Sequence, residues 1–247
     1  MSLQIVKGSD IYNLPASFCL TDLSFNKRIN IGGKAYMDGG VNKGDGMFAV
    51  RYFQLEGSLW GESDSAYDTK FDELILKLSQ EDFYLRDGNW QILINHAHAV
   101  DHSPDPGLRK RNTEISFKMV ALNPFWYYRT ITTITEECSE TPHDFVINNI
   151  NSYLIYPVIT ITANINNSSF SLKNKTDGNA LFSYEDIGFL EDDELIIDCQ
   201  EGTVEREGTD SIRYFDGQFL KLLAGNNELE YTGVAVTLKF EWYRRKL

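Results

Sequence analysis

Between Tyr153 and Lys239 the chain runs in strand-length segments of alternating apolar and polar residues, separated by turn signals. Two of these segments are Ile155-Tyr156-Pro157-Val158-Ile159-Thr160-Ile161 and Leu195-Ile196-Ile197-Asp198-Cys199. Asp177-Gly178-Asn179 and Gly225-Asn226-Asn227 read as turns between such runs. A period of two places one side of each run in a core and the other in solvent, so this half predicts an antiparallel β-sandwich. The pairs Phe182 with Tyr184 and Phe240 with Trp242 occupy alternating positions, which is how core aromatics are placed on strands.

The 247 residues, 42% of them hydrophobic, suffice for two domains with separate cores. The polar stretch Glu136 to His143 marks the boundary, giving domains 1–141 and 142–247, with a last strand, Val234 to Tyr243, able to return to the first domain. In the first half, Gly39 to Gly46 carries four glycines in eight residues and reads as a loop or hairpin arm. Met47 to Leu59 alternates and predicts a long strand with Phe48, Val50, Tyr52 and Gln54 on one side. Phe71, Leu74, Ile75 and Leu78 recur at helical spacing, predicting a helix over Ala66 to Ser79 capped by Ser65 and Asp68. Phe83 to Arg86 and Trp90 to Ile94 flank Asp87-Gly88-Asn89 as a hairpin. Thr130 to Thr135 is a β-branched strand. The first domain is therefore α+β, strands with one helix.

The net charge of −13 is uneven, with 14 basic and 16 acidic side chains in residues 1–133 against 9 and 20 in residues 134–247. The second half has the wrong sign to neutralise phosphates, which argues against tight nucleic-acid binding. No run approaches the roughly 20 apolar residues of a membrane helix. Met1-Ser2-Leu3-Gln4 opens no signal-peptide pattern, so a soluble chain without membrane insertion is expected. Cys19, Cys138 and Cys199 are odd in number and far apart, which predicts reduced thiols, with Cys19 and Cys199 buried.

His96, His98 and His102 follow the run Ile92-Leu93-Ile94-Asn95 and resemble the His-x-His-x-Asp-His zinc signature of metallo-β-lactamase-fold hydrolases. One extra residue stands between His98 and Asp101, and only His143 remains elsewhere to complete a ligand set. The segment is read as a hairpin with His96 and His98 on one polar, half-exposed face, and no metal, cofactor or catalytic residue is assigned. Glu191-Asp192-Asp193-Glu194 lacks the central Gly of an EF-hand loop and reads as a solvated turn. Arg109-Lys110-Arg111 is a basic cluster in a Pro- and Gly-punctuated loop, and Arg244-Arg245-Lys246 is a second. Arg109, Lys110, Arg111 and the carboxylates Glu191, Asp192, Asp193 and Glu194 are the expected subunit-contact residues.

The order of the runs Pro157 to Ile161, Phe170 to Asn174, Leu190 with Glu194 to Asp198, Phe219 to Leu229 and Val234 to Phe240 resembles the C-terminal domain of phage distal tail proteins. Tyr52 to Gly61 and Ile115 to Tyr127 extend the resemblance into the first half. The resemblance implies a split-barrel-like belt domain with one helix, followed by a galectin-like antiparallel β-sandwich. It also implies a non-enzymatic virion protein at the tail tip of a long, non-contractile tail, made in the bacterial host cytoplasm. Its copies would form a hexameric ring that joins the tail tube protein to the tail-associated hub protein and lets DNA pass through its lumen. The alternatives are a carbohydrate-binding adhesin module, for which a sandwich alone suffices, and a zinc hydrolase built on His96, His98 and His102.

Overall fold

The computed structural model describes residues 3–23, 50–104, 112–139, 141–150, 152–166 and 169–246. The chain divides into two compact units, Met1–Tyr127 and Tyr128–Leu247. The glycine-rich stretch 39–46 and the basic cluster Arg109, Lys110 and Arg111 lie outside the described residues, as does Phe48.

The first unit contains β1 (Leu3–Lys7), β2 (Asp10–Asn13), β3 (Cys19–Asp22), β4 (Arg51–Trp60), α1 (Asp64–Leu78), β5 (Phe83–Asp87), β6 (Trp90–Ile94), β7 (His96–Pro104) and β8 (Asn112–Ala121). Strands β6-β5-β1-β2 lie side by side in that order, and β3-β4-β8-β7 form a second sheet. Alternation places Phe53, Leu55 and Leu59 of β4 and Ile115, Phe117 and Met119 of β8 in one core with Phe83, Leu85, Ile92 and Ile94. The predicted hairpin is present: Asp87 pairs with Trp90, and Gly88 takes the left-handed φ of 58° that such a tight turn needs.

The helix starts earlier than its sequence signals suggest. Its cap is Ser63, not Ser65, and the Ser63 hydroxyl accepts a 3.1 Å hydrogen bond from the Ala66 N–H. Gly61 explains the shift, because a Cβ there would lie 2.5 Å from the Tyr67 nitrogen, so only glycine lets β4 run this closely into the helix. Tyr67, absent from the predicted apolar face, is buried with Leu74 and Leu78, while Phe71 and Ile75 pack half-buried beside them.

Arg51 ties this unit together. It is 8% exposed, its Nε donates to Asp22 Oδ2 at 2.9 Å, and its Nη1 donates to the Pro124 carbonyl at 2.9 Å. Cys19, expected in the core, is exposed at the start of β3. Phe18 is buried and Leu20 packs half-buried against the core, so strand alternation turns Cys19 and Thr21 outward.

The second unit carries β9 (Trp126–Cys138), which begins in the last residues of the first unit. It continues through β10 (His143–Asn149), β11 (Val158–Ala163), β12 (Ser169–Asn174), β13 (Ala180–Glu185), β14 (Glu194–Asp198), β15 (Thr203–Arg206), β16 (Thr209–Asp210), β17 (Phe215–Gly217), β18 (Gly225–Thr232) and β19 (Val236–Lys246). Antiparallel pairing joins β16-β15-β14-β11-β19, with β9 next to β19, and a second sheet has the order β10-β18-β12-β13-β17. Their inner faces enclose Ile159, Ile161, Phe170, Phe182, Tyr184, Leu195, Ile197, Leu238, Phe240 and Trp242. This is the antiparallel sandwich that the alternating runs predict.

Three local features differ from the sequence reading. Glu136, Glu137 and Cys138 belong to β9, and the compact units part at Tyr127 and Tyr128, upstream of the polar stretch. Gly225-Asn226-Asn227 opens β18 instead of forming a turn, with Gly225 at φ 90°. The chain reverses just before it, where the Asn227 Oδ1 accepts the Leu223 N–H at 2.8 Å and its Nδ2 donates to the Leu223 carbonyl at 2.9 Å. In the run from Ile155 to Ile161 the regular strand begins only at Val158, because Pro157 has no N–H to give a ladder; Ile155 makes an isolated bridge to Leu222.

Candidate interaction surfaces

β7 lies at the edge of the sheet β3-β4-β8-β7, where His96 pairs with Val120 and His98 with Lys118. Both imidazoles are exposed. The register slips between Ala99 and Asp101, which face Phe117 and Ser116, so Val100 is the extra residue of a β-bulge. This is the same residue that breaks the zinc-signature spacing. His143 belongs to the second unit, with its Nε2 3.0 Å from Glu136 Oε1. No group of three potential metal ligands is assembled among the described residues.

Between exposed Tyr52 and Trp60 the solvent face of β4 and β8 is polar, because the two strands alternate in phase. Gln54 faces Lys118, Glu56 faces Ser116 and Ser58 faces Glu114 across the β4–β8 ladder, while Cys19 of β3 faces Glu56 from the other side. Together with Ser17, these strands border a depression of about 400 Å³ lined by Ser17, Cys19, Glu56, Ser58, Glu114 and Ser116. The Ser17 hydroxyl donates to the Ser58 carbonyl at 2.6 Å, and the Gln54 amide donates to the Ser116 hydroxyl at 3.0 Å and to a Glu56 carboxylate oxygen. Sequence reasoning missed this group. Its members are scattered over about 100 residues and meet only through the pairing register.

In the second unit the acidic run forms a clamped turn between Leu190 and β14. Asp193 is half-buried and its Oδ2 accepts the Leu190 N–H at 2.9 Å, and Asp192 sits at φ 67° with its N–H on the Ala163 carbonyl at 2.8 Å. The Glu191 N–H reaches Asn166 Oδ1 at 3.0 Å, and the Glu194 N–H reaches Glu207 Oε1 at 2.7 Å. Glu191, Asp192 and Glu194 are exposed. The turn is held by backbone bonds, the Asn166 amide oxygen and the Asp193 and Glu207 carboxylates.

The aromatics divide as core residues should. Phe170 lies within 6.5 Å, centroid to centroid, of Phe182, Tyr184, Phe189 and Tyr231 inside the sandwich. Tyr184 donates to Asp186 Oδ2 at 3.3 Å, the same oxygen that takes Arg206 Nη1 at 2.8 Å, and burial together with the nearby Asp186 charge pushes the phenol up to about 12. At the basic end of β19, the Arg244 guanidinium stacks 4.0 Å over the Tyr128 ring and the Arg245 Nε donates to the Leu154 carbonyl.

Residues 151–244 match the family described as the siphovirus-type tail component, C-terminal domain. Among solved structures, the fold is similar to that of the Dit protein of phage SPP1, described as a paradigm of the hub adsorption apparatus in phages that infect Gram-positive bacteria. The TM-score is 0.66 over 99% of each chain, at 12% sequence identity. No curated protein sequence matches the chain. The chain thus resembles phage distal tail proteins in the sequence of residues 151–244 and in the fold of nearly its whole length.

Proposed function

We propose that this protein is a structural component of the tail tip of a long, non-contractile phage tail and has no catalytic role. The observation that carries this reading is a coincidence of two likenesses. The sandwich residues match a tail-component family, and the fold over 99% of the chain follows that of a hub protein. The finer reading is a ring of six copies in which the first domain supplies the contacts and surrounds the lumen, while the sandwich lies outside. The charge balance supports it: residues 1–133 carry 14 basic and 16 acidic side chains, a lining that would let DNA pass without holding it.

The ring's faces would meet the tail tube protein and the hub protein. Exposed Glu191, Asp192 and Glu194, and the basic cluster Arg109, Lys110 and Arg111, are the proposed contact residues between chains. Electron microscopy and light scattering of the purified chain, alone and mixed with a tail tube protein or a hub protein, test the proposal. Rings of six with a stain-filled lumen are expected. A chain that stays monomeric at high concentration and ignores both tube and hub proteins would defeat it.

A further inference from the structure

We infer that the acidic tip of the sandwich docks, head to tail, against the basic end of the sandwich of a second copy. The inference rests on the ring of copies proposed above and adds to it a contact between second units. Three connections are knit together at the tip. The Asn164 N–H donates to the Ala235 carbonyl at 3.1 Å, the Asp192 N–H to the Ala163 carbonyl at 2.8 Å, and the Glu191 N–H to Asn166 Oδ1 at 3.0 Å. These connections carry Ile165, Ile187, Leu190 and Val234, and all four side chains are exposed. Ile187 is 93% exposed, yet its loop is fixed from within: buried Asp186 accepts the Gly188 N–H at 2.9 Å and Arg206 Nη1 at 2.8 Å. A loop already held rigid loses little freedom when the side chain it displays is covered. Exposed Glu191, Asp192, Glu194 and Glu207 share this end, and the first three form no ion pair among the described residues. Apolar side chains gathered together and rimmed by polar ones mark contact surfaces, as single exposed ones do not.

The opposite end of the same sandwich carries the complement. β19 starts beside the tip, where Val236 pairs with Ala163, and runs 11 residues to Lys246. At about 3.3 Å per residue, Arg244, Arg245 and Lys246 stand roughly 30 Å from the acidic turn, several times the screening length of about 8 Å in physiological salt. The two charged groups therefore cannot pair within one sandwich. Two of the guanidiniums are set in place by aromatic rings, Arg244 at 4.0 Å from the centre of Tyr128 and Arg245 at 5.9 Å from that of Tyr153. Exposed Tyr243, and exposed Ile150 just after β10, add apolar surface at this end, where the Ser152 hydroxyl accepts the Arg245 N–H at 2.9 Å. An acidic tip repels its own twin and attracts a basic end, so the contact joins two different patches. Contacts of that kind repeat from copy to copy and close into a ring where the rotation permits.

Sedimentation velocity of the full chain over a concentration series at low salt tests the inference. Glu191→Lys with Glu194→Lys, and separately Arg244→Glu with Lys246→Glu, should each weaken self-association several-fold. An equimolar mixture of the two variants should regain it, because a basic tip then meets an acidic end. Ile187→Ser alters a side chain that touches little of its own fold, so it should leave the circular dichroism and the melting temperature unchanged while weakening association. Association unchanged in all three variants, or no recovery in a mixture of folded variants, would overturn the inference and leave a ring built on first-unit contacts standing. Dimers or open filaments that obey the charge swaps would uphold the contact and defeat the ring of six. A wild-type chain that stays monomeric at every concentration would defeat both.

Discussion

The polar residues buried in the second unit explain why an irregular segment holds its shape between regular strands. Asn149, Asn174 and Asn227 are at most 1% exposed, and each turns its amide on backbone groups of residues 221–225, between the Ile155–Leu222 bridge and β18. Asn227→Ala orphans the Leu223 N–H and leaves the Leu223 carbonyl with the Asn149 amide as its side-chain donor, and about 1–3 kcal/mol for an unsatisfied group sets the scale. We expect a loss of about 1–3 kcal/mol in the urea unfolding of the second unit, and a loss under about 0.5 kcal/mol would contradict the network. The thiols give a pH dependence. Burial, with the Asp198 charge behind it, raises Cys199 from its ordinary 9.0 to about 12, so the folded chain keeps a proton that the unfolded chain gives up. This contribution is complete below about pH 9 and falls between pH 9 and 12, by about 1.4 kcal/mol per pH unit. Cys199→Ala should show a shallower decline from pH 9 to 10.5 in urea titrations run with reductant; an unchanged slope would place the titration elsewhere.

At the scale of elements, the helix start and the bulge show how single positions set register. Ser63→Ala removes the hydroxyl that accepts the Ala66 N–H and should cost about 1 kcal/mol. Ser65→Ala, at the position the sequence pattern favoured, should cost clearly less, and thermal melts of the two variants decide between the caps. The bulge at Val100 carries a second expectation. Because the surplus residue is accommodated in an edge strand, His96 and His98 should act only as exposed residues of β7. Replacing both with Asn should leave the melting temperature within about 1–2 °C, the change expected of surface substitutions. Elemental analysis of the purified chain should find no stoichiometric zinc. One zinc per chain, lost in the double variant, would restore the metal reading.

For the whole molecule, the place of β9 governs how the chain can be divided. Residues 128–247 contain β9 beside β19, whereas a fragment starting at 142 removes that strand and bares the β19 edge. We expect residues 128–247 to fold, and residues 142–247, which lack the β9–β19 ladder, to be less stable and less soluble. Equal melting temperatures and equal solubility would show that β9 contributes nothing to the second unit. Much of this architecture was legible in the sequence, because alternation, helical spacing and the hairpin signal around Gly88 are local properties. Phe182, Tyr184, Phe240 and Trp242 are buried as their alternating positions require, and β5, β6, β12 and β13 fall where the runs and turns place them. What joins what was not legible. The outward phase of Cys19, the capture of Glu136 to Cys138 by β9, and the meeting of Ser17, Glu56 and Glu114 all depend on pairings between distant residues. The sequence alone determined which residues along a strand share one side, because a strand's period is local. Only the tertiary structure decided which outward residues share a surface, because strand order and register are set by packing between segments far apart in the chain.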